Sequence, residues 1–340
     1  MPKSISLPVV NTEYSDPRVR VEAKGSERIS GPARPKLKYQ EDGAGPRPKW
    51  IRKRISFNKS FFETQELVQQ AGLHTICESG SCPNIHECWS SKSLTIMILG
   101  NVCTRSCGFC DVQTGRPLAV DTDEPRRVAQ TLAGLNLNYV VITSVDRDDL
   151  ADGGAAIWAE TVRRVRAAAP DMGVEILTGD FKGDVDDLQL VLDAEPHCFS
   201  HNVETVDEMH RVVRPQAQYL RSLAVLEHAA KDGRALVKTG MMLGLGETNA
   251  QIVGTMQDLV NAGVEVLNLG QYLRPSKRHL PVMRWVTPEE FDFFKAEGER
   301  MGFKHVESGP LVRSSYRADK QAMEIHQKEQ AARLAPSIRS

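Results

Sequence analysis

Six short apolar stretches, separated by turns and by segments of helical period, restrict the fold more than any other feature. In order along the chain they are LTIMILGNV (94–102), YVVITSV (139–145), GVEILTG (173–179), CFSHNVE (198–204), LVKTGMMLGLG (236–246) and EVLNLGQYL (265–273). Between them, 155–169 and 252–263 repeat apolar residues every three or four positions, which predicts helices that cover a sheet. Alternating strands and helices favour parallel βα units, curled into a barrel or partial barrel, with an open doubly wound sheet as the alternative.

The composition is that of an ordinary globular protein. The chain has 340 residues, a formal net charge of −1, 41% hydrophobic residues and 26% charged residues. The charge is balanced and no run reaches the roughly 18 apolar residues of a membrane helix, so we expect neither nucleic acid nor a membrane as a partner. The N-terminal MPKSISLPVV lacks the pattern of a secretory signal, and we expect a protein that is not secreted.

Residues 1–48 are rich in Pro, Gly and charge, with little apolar periodicity, which predicts a poorly ordered arm. A mitochondrial transit peptide is poor in acidic residues, and the four acids at positions 13, 16, 22 and 27 weigh against one. Six of the seven cysteines lie between residues 77 and 110, a pattern that favours metal binding over disulfides in a chain of this size. Free thiolates imply a reducing compartment, so we expect a cytoplasmic protein.

The first cysteine group to consider, Cys103, Cys107 and Cys110, has the spacing C-x3-C-x2-C and follows the first predicted strand. Active sites of βα folds collect at the carboxyl ends of the strands, which is where this loop lies. Each iron of a [4Fe–4S] cluster is normally capped by one thiolate, so three cysteines leave one iron open to a small molecule. A structural zinc site would need a fourth ligand, and the loop contains no histidine.

A second group, Cys77, Cys82 and Cys88, has the spacing C-x4-C-x5-C. His86 lies within it and could complete a structural zinc site. Two cysteine triads side by side favour instead a second cluster near the first.

The loop 103–110, with Phe109 before its last cysteine, resembles the signature of the radical S-adenosylmethionine (SAM) enzymes. With the upstream triad and the RSSY at 313–316, the chain resembles the lipoyl synthase family over roughly residues 50 to 320. The match also covers SVDRDDLADGG (144–154), HNVET (201–205), MLGLGET (242–248) and LGQYLRPS (269–276).

The resemblance implies a partial (β/α)6 TIM-like barrel of the radical SAM type over 94–304. An N-terminal extension at 49–93 would bind an auxiliary cluster, and a C-terminal extension at 305–340 would carry RSSY. The implied reaction inserts two sulfur atoms at C6 and C8 of a protein-bound N6-octanoyl-lysine, with two [4Fe–4S] clusters and SAM as co-substrate. The auxiliary cluster would be the sulfur donor.

In the family, the loop at 103–110 binds the cluster that cleaves SAM, so the resemblance makes Cys103, Cys107 and Cys110 catalytic. The auxiliary cluster would be held by the upstream triad and by the second serine of RSSY, here Ser315. For RSSY alone, a phosphate-binding or helix-capping turn is the alternative.

For SAM itself, positions at the strand ends imply Ser144 near the amine, Asn202 and Glu204 near the ribose or carboxylate, and Lys238 near the carboxylate. Phe109 would offer its backbone to adenine. Ordinary capping of strand ends is the alternative for each of these residues.

The implied partners are octanoylated carrier domains, either a glycine-cleavage H protein or the acyltransferase subunit of a 2-oxoacid dehydrogenase. An electron donor such as ferredoxin or flavodoxin and an iron–sulfur carrier that rebuilds the cluster are implied as well. Two rivals remain open: another sulfur-inserting radical SAM enzyme, such as a biotin synthase or a transfer-RNA methylthiolase, and a zinc-bound scaffold without catalysis.

Overall fold

The computed structural model describes residues 43–51, 57–91, 93–135, 137–321 and 325. Its centre is an eight-stranded sheet, and a separate pair of two-residue strands flanks the first cysteine loop. The strands are β1 (His74–Thr75), β2 (Thr95–Ile98), β3 (Val102–Cys103), β4 (Gln113–Thr114), β5 (Tyr139–Ser144), β6 (Gly173–Leu177), β7 (Cys198–Ser200), β8 (Leu236–Leu243), β9 (Val266–Gln271) and β10 (His305–Gly309).

Helices follow the strands of the large sheet and cover it. They are α1 (Lys59–Gln70), α2 (Ile76–Ser79), α3 (Ile85–Ser90), α4 (Glu124–Gly134), α5 (Ala155–Ala168), α6 (Val185–Leu192), α7 (Asp207–Val213), α8 (Tyr219–Asp232), α9 (Asn249–Asn261) and α10 (Pro288–Met301). Single 3-10 turns lie at Lys49–Ile51 and Phe181–Gly183. Six βα units therefore run from β2 to α10, and the prediction of six such units is confirmed.

The sheet has the order β1-β2-β5-β6-β7-β8-β9-β10. Every pairing from β2 to β10 is parallel, and β1 alone pairs antiparallel, with β2. The short strands β1 and β10 are the two edges, which is the arrangement of an open, partial barrel. Neither edge strand was predicted from the sequence.

Register brings the carboxyl ends of the parallel strands to one edge of the sheet. Ile98 pairs with Ser144, and Gly270 pairs with Gly309. The strands β2 and β9 are buried at every position, which explains why neither strand alternates apolar residues with exposed polar ones. The loops beyond this edge are therefore the place for a site.

Extensions at both ends of the chain pack against the barrel. The N-terminal extension contains α1 to α3, and the C-terminal extension continues past β10. Most of the predicted N-terminal arm, residues 1–42, lies outside the described residues. Its last residues contact the barrel, because the Ala44 N–H donates to the carbonyl of Val282 (3.1 Å) and Trp285 Nε1 donates to the carbonyl of Gly45 (3.2 Å). Within the described ranges no helix combines the length and apolarity that crossing a membrane requires.

Candidate active site

The C-x3-C-x2-C loop is held by hydrogen bonds to its backbone and to one of its sulfurs. Cys103 Sγ accepts from the backbone N–H groups of Arg105 (3.4 Å) and Asp146 (3.3 Å). The Gly108 N–H donates to the carbonyl of Val213 (2.9 Å), and the Gly108 carbonyl accepts from the N–H of Leu280 (3.0 Å). Three separate segments of the barrel edge therefore fix the loop.

Burial makes these thiols weak acids in the absence of a metal. It raises the pKa of Cys107 to about 12 and the pKa of Cys103 still further. At neutral pH both thiols keep their protons unless a metal takes the place of the proton. The loop is therefore suited to a tightly bound cluster and not to a free nucleophilic thiolate.

Arg105, inside the loop, ties it to the ends of two strands. Its guanidinium donates to Asp148 (2.8 Å) and Asp180 (2.6 Å) and lies 3.5 Å from Asp146, while only 3% of its side chain is exposed. Burial alone would raise the pKa of Asp180, but the hydrogen bond and charge of Arg105 hold it well below its usual range. Arg105 was not predicted as a site residue from the sequence, although its position between two cysteines of the loop is a signal.

A cavity of about 310 Å³ brings the upstream cysteines together with the C-terminal RSSY. The cysteines and RSSY residues that line this cavity are Cys77, Cys82, Cys88, Arg313, Ser315 and Tyr316. Although Ser315 lies more than two hundred positions after the cysteines in the sequence, it lines the same space. This convergence is what a four-ligand cluster site requires.

Local hydrogen bonds explain how the upstream cysteines reach this cavity. Thr75 caps α2 by accepting from the N–H of Glu78, and so starts the short helix that carries Cys77. The Cys82 N–H donates to the carbonyl of Cys77 (3.1 Å), which closes the turn. Burial raises the pKa of Cys77 to about 11, so this thiol also keeps its proton at neutral pH unless a metal takes the place of the proton.

His86 does not line the cavity, which weighs against the zinc alternative. Its ring lies against Phe57 and Phe61, with centroid distances of 4.5 and 5.4 Å. In the part of the chain that the structure describes, no three His, Cys, Asp or Glu side chains are close enough to hold a single metal ion. Wider spacing suits a cluster, because each thiolate caps a different iron.

Four of the five residues predicted to contact SAM lie at the barrel edge near the first loop. Ser144 ends β5 and lines a cavity of about 250 Å³ with Arg105. Asn202 and Glu204 follow β7, and Asn202 Nδ2 donates to Glu204 (3.0 Å). Phe109 packs against the apolar cluster of Val213, Leu245, Tyr272, Leu280 and Val282.

The placement of Lys238 corrects the fifth prediction. Lys238 lies near the start of β8, not at its carboxyl end, and its ammonium is 3.0 Å from Glu175 with both side chains 2% exposed. Tyr139, the first residue of β5, donates to the same carboxylate (3.0 Å). Lys238 therefore forms a buried ion pair with Glu175 toward the amino ends of the strands. It is not at the carboxyl ends, where SAM would lie.

Arg214 is a second residue that the sequence analysis missed. It is the C-cap of α7, is 7% exposed, and donates to the carbonyl of Asn202 (2.7 Å). Burial raises the pKa of Glu204, and the charge of Arg214 opposes that rise. Arg214 thus supplies positive charge next to the predicted SAM residues.

Comparison with known proteins gives two kinds of match. The Radical SAM superfamily model matches residues 97–259. Among relatives, the lipoyl synthase of Rubrobacter xylanophilus is 52% identical over 83% of this chain and 88% of its own. The mitochondrial lipoyl synthase of Nematostella vectensis is 49% identical over 81% of this chain and 94% of its own.

A solved structure supports the fold alone. HydG, a maturase of the [FeFe]-hydrogenase, superimposes with a TM-score of 0.50 at 14% identity, covering 68% of this chain and 54% of its own. Together with the radical SAM match and the parallel topology, this likeness confirms the predicted partial barrel of the radical SAM type.

Proposed function

The chain belongs to the lipoyl synthase family, and from that membership we propose which residues carry the family's reaction. It is a SAM-dependent radical enzyme, a sulfurtransferase that inserts two sulfur atoms, at C6 and C8, into a protein-bound N6-octanoyl-lysine. It uses [4Fe–4S] iron–sulfur chemistry, with SAM as co-substrate. The family membership also decides against a biotin synthase, a methylthiolase and a zinc-bound scaffold. When bound, cluster and SAM supply the radical that takes hydrogen from unactivated carbon.

The auxiliary cluster, in this proposal, is held by Cys77, Cys82, Cys88 and Ser315. The single observation that carries the proposal is the cavity that these four side chains line together. A serine oxygen is a harder ligand for iron than a thiolate, so Ser315 would hold its iron more weakly than the cysteines hold theirs. A weakly held iron suits a cluster that is dismantled as the sulfur donor.

The SAM-binding cluster is assigned to Cys103, Cys107 and Cys110, which leaves one iron open to the amine and carboxylate of SAM. Ser144, Asn202, Glu204 and the backbone of Phe109 stay as proposed SAM contacts. Arg214 replaces Lys238 as the positive charge beside them, because its guanidinium lies next to Asn202.

The substrate is an octanoylated lipoyl carrier domain, from a glycine-cleavage H protein or from the acyltransferase subunit of a 2-oxoacid dehydrogenase. The carrier's lysine arm would enter at the carboxyl edge of the barrel, where the loop 103–110 lies. A ferredoxin or flavodoxin as electron donor, an iron–sulfur carrier for rebuilding the cluster, and the cytoplasm as compartment complete the proposal.

Two single substitutions separate the roles of the clusters. After anaerobic reconstitution, the wild type should hold about eight irons per chain, and Cys82→Ala and Cys107→Ala should each hold about four. Cys107→Ala should release no 5′-deoxyadenosine from SAM. Cys82→Ala should still release it, yet form no lipoyl product on an octanoylated carrier peptide.

Cys198→Ala is the matched control, because Cys198 is buried in β7 and is not part of either cysteine group. It should keep the iron content of the wild type. Lipoyl product from Cys82→Ala would show that the auxiliary cluster is not the sulfur donor, and SAM cleavage by Cys107→Ala would remove the loop 103–110 from its role.

A further inference from the structure

Strand β9 presents two unusual residues, Asn268 and Gly270, on one face of a strand that is otherwise buried and apolar. Asn268 is 2% exposed. A buried amide costs free energy unless it is hydrogen-bonded, so an asparagine at this position needs partners inside the barrel.

Those partners are in the RSSY segment. Asn268 Nδ2 donates to the carbonyl of Arg313 (3.1 Å) and to the carbonyl of Ser314 (2.9 Å). At Gly270 a Cβ would overlap the carbonyl oxygen of Val312, so only glycine admits the chain there. One face of β9 thus receives three consecutive residues of the C-terminal extension.

Two other parts of the molecule hold the same segment. Asn202 Nδ2 donates to the hydroxyl of Ser314 (2.6 Å). From the upstream cysteine loop, Asn84 Nδ2 donates to the carbonyl of Leu311 (2.6 Å). The main chain up to Ser314 is therefore fixed by side-chain donors, and the next residue is Ser315.

We propose that Asn268 is a positioning residue for the auxiliary cluster: its amide fixes the main chain immediately before Ser315 and so holds the serine hydroxyl at the cysteine-lined cavity. This inference rests on the proposed role of Ser315 as a cluster ligand. A weak oxygen ligand binds iron well only when its position is already fixed. Binding then costs little conformational entropy, because the side chain and its backbone are ordered beforehand. With the segment held on β9, Ser315 would stay beside the cavity whether or not its oxygen were bound to an iron.

The amide is required because both of its partners are carbonyl oxygens. Asn268→Asp keeps the size of the side chain, removes both donors and turns a carboxylate toward two acceptors. Gln271→Glu is the matched control on the same strand. Gln271 is also buried, and its amide donates to the carbonyls of Leu243, at the end of β8, and of Arg284, in the segment after β9, so its partners lie outside RSSY.

The experiment uses the full chain with both clusters reconstituted, at a temperature where circular dichroism shows each variant folded. It measures the rate of iron loss to a ferrous chelator and the electron paramagnetic resonance spectrum of the reduced auxiliary cluster. Loss of residues that orient metal ligands typically costs about 10- to 100-fold in affinity or activity, so Asn268→Asp should lose its first iron about 10- to 100-fold faster than wild type. Ser315→Ala should accelerate the loss as well, and Gln271→Glu should match the wild type.

The outcomes separate this inference from the proposed function. Fast loss in Ser315→Ala with a wild-type rate and spectrum in Asn268→Asp would overturn the positioning role and leave Ser315 a ligand. A wild-type rate in Ser315→Ala would remove the ligand itself, and the inference with it. Equal acceleration in Gln271→Glu would show general damage to β9 and would also overturn the positioning role. If Asn268→Asp does not fold, Gly270→Ala makes the same test, because its methyl displaces the carbonyl of Val312.

Discussion

Glu124 shows how much one side chain contributes to the edge of the barrel that carries the loop 103–110. Its carboxylate accepts from the N–H of Leu99 (2.7 Å), the residue directly after β2, and it is 7% exposed. Burial raises the pKa of Glu124 from its ordinary 4.5 to about 7, although the hydrogen bond from Leu99 opposes the rise. The carboxyl therefore titrates near neutral pH in the folded protein.

Stability should depend on pH through this group. A pKa that is higher in the folded state means that Glu124 stabilises the fold fully below about pH 4.5, and that this contribution is lost as the pH rises through about 7. At one pKa unit per about 1.4 kcal/mol, the loss amounts to about 3 kcal/mol. Glu124→Gln, which keeps an acceptor for Leu99 but cannot ionise, should become more stable than wild type above neutral pH. Guanidinium unfolding of both proteins between about pH 5 and pH 8 measures this, and a difference that stays constant with pH would contradict it.

Among the connecting elements, the segment after β9 packs directly on the first cysteine loop. A Cβ on Gly108 would lie 2.8 Å from Leu280 Cγ, and the Gly108 carbonyl accepts from the N–H of Leu280. Tyr272 in turn donates to the carbonyl of Leu280 (2.8 Å), which fixes the segment from behind. The cysteine loop and this segment therefore form one packed unit.

Gly108→Ala should push the two apart. Overpacking of this kind typically costs about 1–3 kcal/mol, and here part of the cost should appear as incomplete assembly of the SAM-binding cluster. Iron per chain and the midpoint of thermal unfolding should both fall. Gly254→Ala in α9 is the control, because its Cβ would meet no atom within 4 Å and alanine favours a helix by about 0.5–1 kcal/mol. An iron content in Gly108→Ala equal to that of the control would show that the loop tolerates the methyl.

Elements with a local signal could be predicted from the sequence, and those without one could not. The six inner strands are short stretches that are mostly apolar. The helix predicted from residue 252 begins at Asn249, because the capping box of Thr248 and Gln251 starts it three residues earlier. Strand β10 has the sequence HVESG, which shows no run or alternation; its structure comes from pairing with β9.

The same limit applies to the site residues. Cysteine spacing predicted two groups, and the structure brings Ser315 to one of them, as the family resemblance implied. Lys238 was misplaced because sequence position within a largely buried strand does not tell which layer of a barrel a side chain occupies. Asn268 escaped notice because its partner Arg313 lies 45 residues further along the chain. Arg214 lies only 12 residues after its partner Asn202, but it stands at the end of a helix, where no motif marks it.

For the molecule as a whole, the N-terminal segment 43–51 joins distant parts of the barrel edge. Ala44 packs on the apolar cluster that also contacts Phe109 of the cysteine loop, and Ile51 is fully buried. Arg47 donates to the carbonyl of Ile51 (3.1 Å), so the segment is braced internally as well. The contacts of this segment imply that it belongs to the folded body, whatever the role of the residues before it.

Two deletions test where the functional body begins. Removal of residues 1–42 should preserve iron content and lipoyl formation, because the six clustered cysteines and Ser315 all lie at position 77 or later and the resemblance to the family begins near residue 50. Removal of residues 1–51 should lower the unfolding midpoint, since exposing the site of a fully buried isoleucine alone costs about 1.5–3 kcal/mol. It should also reduce the cluster at the 103–110 loop, because the apolar packing beside Phe109 is opened. Iron content, thermal unfolding and single-turnover product are measured for both chains.

If removal of 1–42 already abolishes product while iron stays complete, the first 42 residues take part in the reaction or in carrier binding. If removal of 1–51 changes nothing, the segment 43–51 is dispensable despite its contacts.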